Sequence, residues 1–243
     1  MGKPRVAIFD FACCEGCQLQ IVNMEAEILD LLGNIKLVEW REGMTERADE
    51  YDIAIIEGSI TRPQDEERLR GIREKATIVI ALGSCAVHGG VNKLKNLMDA
   101  KEAARIVYGD QADAPHLQGG TVKSAGEVVK VDYNVYGCPI DRKEFAQVVR
   151  SLLIGKEPTI PDYPVCVECK QKGNSCRYDH DEVCLGPITR GGCDARCPSY
   201  GFWCFGCRGR VDDPNTEAAK AIMSQYGRTV EELEERIALF GTV

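Results

Sequence analysis

Short, wholly apolar runs alternate with amphipathic stretches along roughly the first 155 residues. RVAIFDF (5–11) lacks the polar alternation of a half-exposed strand and predicts one buried on both faces. Apolar residues recur at helical spacing from Leu19 to Leu32, which predicts a helix. IKLVEW (35–40) and DIAIIEG (52–58) follow as strands, and PQDEERLRGIREKA (63–76) as a charged helix with Pro63 in its first turn. TIVIALGSC (77–85) is a further buried strand. The pattern weakens from about 93 to 125, first helical and then loop-like. EVVKVDYNVYGC (127–138) predicts another strand, and IDRKEFAQVVRSLLIG (140–155) an amphipathic helix ended by Gly155.

This alternation implies an α/β fold, an open and mostly parallel sheet with helices on both sides. In such sheets, sites form in the crevice beyond the carboxyl ends of the strands. Cys14 and Cys17 follow the first strand, and Cys85 and Cys138 close two later ones, so the fold would gather distant segments at one rim. At GKEPTIPDYP three prolines fall within seven residues and mark a linker. Two domains are therefore expected, 1–157 and 158–243. From Cys166 to Cys207 there is too little periodicity for an apolar core, so another staple is expected there. PNTEAAKAIMSQYG (214–227) and TVEELEERIALF (229–240) read as terminal helices, the second with a Thr229/Glu232 capping box.

Composition narrows the chemistry. The 243 residues are 44% apolar, enough for a packed core, and their net charge of −8 opposes a nucleic-acid partner. No run approaches the ~18 apolar residues of a membrane-spanning helix. The chain enters its first strand without a leader pattern, so a soluble cytoplasmic protein is expected.

Thirteen cysteines, an odd number without an export signal, disfavour a disulfide scaffold and leave metal binding. Eight of them divide in chain order into two fours, each with one CxxC: Cys166, Cys169, Cys176, Cys184, then Cys193, Cys197, Cys204, Cys207. Cys14, Cys17, Cys85 and Cys138 make a third four. The remaining Cys13 would point to the opposite face if the strand continued, and reads as a buried spare. Zinc and iron–sulfur clusters both accept four thiolates. A zinc-stapled interaction scaffold without redox chemistry is one reading. Three sites exceed what folding demands, and GCP (137–139) sets a proline beside a thiolate as cluster ligands often do, which favours iron–sulfur.

CEGC (14–17), GSCAVHGG (83–90), GCP (137–139), CLGPITRGGC (184–193) and CFGC (204–207) together resemble the small, electron-transfer subunit of NiFe hydrogenases, over nearly the whole chain. KVDYNVYGCP and DYPVCVEC make it most similar to the delta subunit of soluble NAD(P)-linked hydrogenases, or sulfhydrogenases. The N-terminal part is similar to the cluster-binding subunit of respiratory complex I. The resemblance implies a flavodoxin-like sheet with a proximal 4Fe-4S cluster on Cys14, Cys17, Cys85 and Cys138. It implies a distal 4Fe-4S cluster on Cys166, Cys169, Cys176 and Cys184 and a medial one on Cys193, Cys197, Cys204 and Cys207. The implied partners are a NiFe-containing large subunit, which holds the catalytic site, and flavin/Fe-S diaphorase-type acceptor subunits. The alternative within the family is the small subunit of an F420-non-reducing, heterodisulfide-reductase-linked hydrogenase. A quinone-linked complex I subunit is disfavoured by the eight-cysteine segment.

Periplasmic members of the resembled family carry histidine where this chain has Cys166 and proline where it has Cys197. Thiolates at both places suit low potentials and exchange with nicotinamide, F420 or ferredoxin. Glu15, between two ligands, could move protons or be a solvated or interface-pairing carboxylate. His88 could hydrogen-bond a cluster sulfur or be an ordinary loop histidine. Trp203 and Phe205 could shield the medial cluster or serve as plain core aromatics. Glu57 ends a strand at the same rim, and the sequence assigns it no role.

Overall fold

The computed structural model describes residues 2–117 and 119–241. Strands β1 (Arg5–Asp10), β2 (Lys36–Trp40), β3 (Ile53–Glu57), β4 (Ile78–Leu82) and β5 (Tyr133–Val135) form one sheet. All neighbours are parallel, in the order β2-β1-β3-β4-β5. This is the doubly wound, flavodoxin-like order, with its crevice at the carboxyl ends of β1 and β3.

The helices are α1 (Gly16–Val22), α2 (Ala26–Asn34), α3 (Pro63–Lys75), α4 (Gly83–His88), α5 (Ala100–Tyr108), α6 (Arg142–Leu153), α7 (Val165–Gln171), α8 (Arg196–Ser199), α9 (Thr216–Gln225) and α10 (Val230–Ala238). Alternation along β1 sorts the core into two layers. Val6 and Ile8 pack with Ile21, Leu31, Phe145 and Val149 of α1, α2 and α6. Ala7 and Phe9 pack with Leu69, Ile72 and Ala86 of α3 and α4. Central β3 is buried throughout, which explains its unbroken apolar run.

The structure corrects several sequence expectations. The single helix over 19–32 is two helices, broken at 23–25 with Glu25 in a positive-φ conformation. Its periodicity hid the break because Ile21, Met24 and Leu31 stay on one buried face across it. TIVIALGSC ends as a strand at Leu82, and α4 takes up GSCAVH after Gly83 turns the chain at φ 77°. The strand expected over 127–138 shrinks to Tyr133–Val135. Upstream of it, Ser124 and Glu127 cap a 3₁₀ turn, and Asp132 accepts from the Val79 amide at 2.8 Å and pairs with Arg73. The cysteine-rich segment does own an apolar core: Val165, Tyr178, Leu185 and Ile188 pack with Met223 and Ile237 of the last two helices. The terminal helices supply the apolar face that the segment lacks locally. The Thr229/Glu232 capping box forms as expected.

Candidate functional site

The first group of thiols meets at the carboxyl rim of the sheet. Cys17 is buried in the first turn of α1, Cys85 is half-buried in α4, and Cys14 and Cys138 are exposed on loops. Burial pushes the Cys85 thiol up to about 12, with Cys138 and Cys14 adding repulsion. Burial raises Cys17 further, with Glu57 and Cys138 contributing. Bare thiolates are therefore disfavoured at Cys17 and Cys85, and a bound cation centre would offset the cost. Glycines leave the sulfurs room. A Cβ on Gly83 would lie 2.3 Å from Cys17 Sγ, and one on Gly90 2.7 Å from Cys85 Sγ.

Glu57 holds this rim in place. Only 2% exposed, it accepts from the amides of Cys17 at 3.0 Å and Gln18 at 3.1 Å. A carboxylate at the end of β3 thus caps α1 across the crevice and fixes the backbone of a predicted ligand. A charged residue ending a wholly buried run was the available sequence signal.

Cys166, Cys169, Cys176 and Cys184 line one cavity of about 340 Å³ with Tyr178 and Ile222 over it. A Cβ at Gly186 would come within 3.2 Å of Cys166 Sγ and 3.5 Å of Cys184 Sγ. The Cys204 amide donates to Cys184 Sγ at 3.2 Å. In the last group, burial raises the Cys207 thiol to about 12, and Ser84, next to Cys85, donates to the Cys207 carbonyl. Burial raises the Cys204 thiol as well. Among the described residues no three Cys, His, Asp or Glu side chains converge on a single metal ion. The cavity that the four thiols help line is larger than one ion needs, and thiolate donors with this room fit an iron–sulfur cluster.

The family described as NADH ubiquinone oxidoreductase, 20 Kd subunit, matches residues 14–152, more than half of the chain. The chain belongs to this family. It is similar to sulfhydrogenase 2 subunit delta of Pyrococcus furiosus, at 36% identity over 91% of this chain and 92% of the relative. It is 31% identical to a subunit of the vhu F420-non-reducing hydrogenase of Methanocaldococcus jannaschii, over 97% of this chain and 92% of the relative. A crystal structure of NAD+-reducing NiFe hydrogenase in the H2-reduced state matches with TM-score 0.59 and 28% identity, covering 66% of this chain and 96% of that one. Within the family, the chain is a hydrogenase small subunit of the delta or G type. No helix among the described residues is long and apolar enough to cross a membrane.

Further residues of this hydrogenase subunit carry its loops. Glu168, 8% exposed between Cys166 and Cys169, accepts from the amides of Gly192 and, at 2.9 Å, Ala195, which flank Cys193. It repeats the role of Glu57 in the cysteine-rich segment, and sequence reasoning missed it. Cys13 is half-buried, not buried, and its thiol contacts the Phe11 carbonyl at 3.4 Å. Burial raises it to about 12. Glu15 adopts φ 59°, and the neighbouring Glu42 carboxylate raises its pKa. The Trp203 and Phe205 rings lie 5.2 Å apart, with Arg236 4.3 Å over the indole.

His88 rests on Gly209, where a Cβ would come within 2.4 Å of the imidazole. Its Nε2 is shut from solvent without a partner, and burial lowers its pKa to about 4. Between the ordinary value near 6.5 and about 4, the unfolded chain binds a proton that the folded chain refuses. Stability should therefore fall as pH drops through that window, by up to about 1.4 kcal/mol per pH unit from this group. Urea unfolding across that range should show a slope reduced by about one proton in His88→Leu. An unchanged slope would contradict the buried neutral imidazole.

Proposed function

We propose that this subunit relays electrons between the NiFe site of a large-subunit partner and a low-potential acceptor module of the flavin/NAD(P) type. One observation carries this: the three fours are contiguous. Ser84, next to Cys85, donates to the Cys207 carbonyl, and the Cys204 amide donates to Cys184 Sγ at 3.2 Å, so the medial group adjoins both others. Bound at the proximal (Cys14, Cys17, Cys85, Cys138), medial (Cys193, Cys197, Cys204, Cys207) and distal (Cys166, Cys169, Cys176, Cys184) groups, three 4Fe-4S clusters would supply one-electron carriers. The chain's own part is to hold thiolates in sequence, to leave space with Gly83, Gly90 and Gly186, and to lock the loops with Glu57 and Glu168. The division into 1–157 and 158–243 follows the same logic, since the third apolar core begins at Val165. Catalysis belongs to the partner.

The name of the Methanocaldococcus jannaschii relative favours a second reading, in which the acceptor is not a nicotinamide module but that of an F420-non-reducing hydrogenase. Purifying the untagged complex anaerobically and assaying hydrogen-dependent NAD(P) reduction separates the two. Reduction supports the first acceptor, and viologen reduction without NAD(P) reduction supports the second. A chain that purifies without any NiFe partner contradicts both. At the level of ligands, Cys197→Pro should convert the medial signal to a three-iron one in EPR of the oxidised protein. An unchanged spectrum would remove Cys197 from the set.

A further inference from the structure

Arg208 follows Cys207 directly and is only 1% exposed. Its Nε donates to the Gly191 carbonyl at 2.6 Å, Nη1 to the Tyr136 carbonyl at 2.8 Å, and Nη2 to Glu144 Oε2 at 2.5 Å. Gly191 stands two residues before Cys193, and Tyr136 two before Cys138. One guanidinium thus clamps the approaches to a medial and a proximal ligand, while its own backbone continues from a second medial ligand. Ser84, next to Cys85, adds a separate tie by donating to the Cys207 carbonyl.

The Arg208–Glu144 pair also abuts the medial loop itself. A Cβ on Gly192 would lie 2.6 Å from Arg208 Nη2 and 2.7 Å from Glu144 Oε2, so both charges press against the backbone that carries Cys193. Stability alone is a weak reason for such a pair, because apolar residues of similar volume often replace a buried ion pair without loss. A guanidinium is permanently charged and its planar fork can serve three acceptors at once, which an ammonium could not do in this geometry.

We propose that Arg208 is a positioning residue that sets both the spacing and the charge at the junction between the proximal and medial groups. This rests on the relay assignment above. A fixed positive charge beside the medial ligands favours the reduced, more negative state of a cluster there, and Glu144 partly offsets it.

EPR-monitored potentiometry on the assembled, anaerobically purified hydrogenase tests this with Glu144→Gln and with Arg208→Met combined with Glu144→Gln. Glu144→Gln keeps the shape and a hydrogen bond but uncovers the guanidinium. Its reduced-to-oxidised ratio for the medial cluster, at the wild-type midpoint, should rise about threefold. The double variant also loses the guanidinium, and the ratio should drop about tenfold below that of Glu144→Gln, or 59 mV for one electron. Shifts of opposite sign in the one cluster, with iron content retained, are what packing damage alone would not produce. Unchanged midpoints, or shifts of one sign in both variants, overturn the inference. If the double variant fails to load iron, Glu144→Gln decides alone, and an unchanged midpoint overturns it. A wild type with fewer than three clusters contradicts the relay assignment and the inference with it. Three clusters whose potentials ignore both variants contradict the inference only.

Discussion

Gly83→Ala is expected to strip the rim group of its iron, lowering the total by about four atoms per chain while the sheet stays folded. Two independent costs meet at this position. Gly83 has φ 77°, where a side chain is strained. The added methyl would sit 2.3 Å from Cys17 Sγ, so either the sulfur or the turn between β4 and α4 must move. Moving the turn displaces Cys85, and moving the sulfur displaces Cys17, so a four-thiolate set is lost either way. Gly71→Ala in α3 is the matched control, since nothing lies within 4 Å of its Cβ. In a helix interior that change should be neutral or stabilising by about 0.5–1 kcal/mol. Iron analysis beside circular dichroism checks both variants. Equal iron in Gly83→Ala and wild type would mean that Cys17 does not occupy the rim site.

Glu57→Ala is expected to be the most destabilising single change at the rim. It leaves the buried amides of Cys17 and Gln18 without acceptors, at a cost of about 1–3 kcal/mol each. The lost cap frees the first turn of α1, so reconstituted protein should also release its rim iron faster to a chelator. Glu57→Gln should recover part of the loss, because its carbonyl can serve one amide while its NH₂ opposes the other. Denaturant unfolding of the three proteins, with chelator-release rates, is the check. Wild-type stability in Glu57→Ala would show that the amides find other partners and that the carboxylate does not hold the ligand turn.

Much of this organisation was legible in the chain. The strands RVAIFD, IAIIE and IVIAL are apolar at every interior position because both faces of the sheet are covered, and such runs announce themselves. Putting Cys14, Cys17, Cys85 and Cys138 at strand ends needed only the rule that parallel sheets build sites at their carboxyl edge. What escaped was what local pattern does not encode. The break after Val22 was invisible because its apolar stripe runs straight across the turn. β5 was overestimated because Val128, Val129 and Val131 look like a strand but pack as a turn under α3 and α4. Glu57, Glu168 and Arg208 were missed as positioning residues because each serves backbone groups far away in sequence, such as the amide 40 positions from Glu57 or the carbonyl 72 positions from Arg208. Glu57 left a trace as the charge that ends an apolar strand run, whereas for Glu168 and Arg208 the clue is burial, which is known only once the fold is.

Iron and acid-labile sulfide analysis of anaerobically purified protein, followed by low-temperature EPR after dithionite, tests the central claim most directly. Three cubes held by twelve thiolates predict about twelve iron and about twelve sulfide per chain, a brown protein, and interacting paramagnetic signals on reduction. Colourless protein carrying zinc or no metal, and silent after dithionite, would contradict the relay.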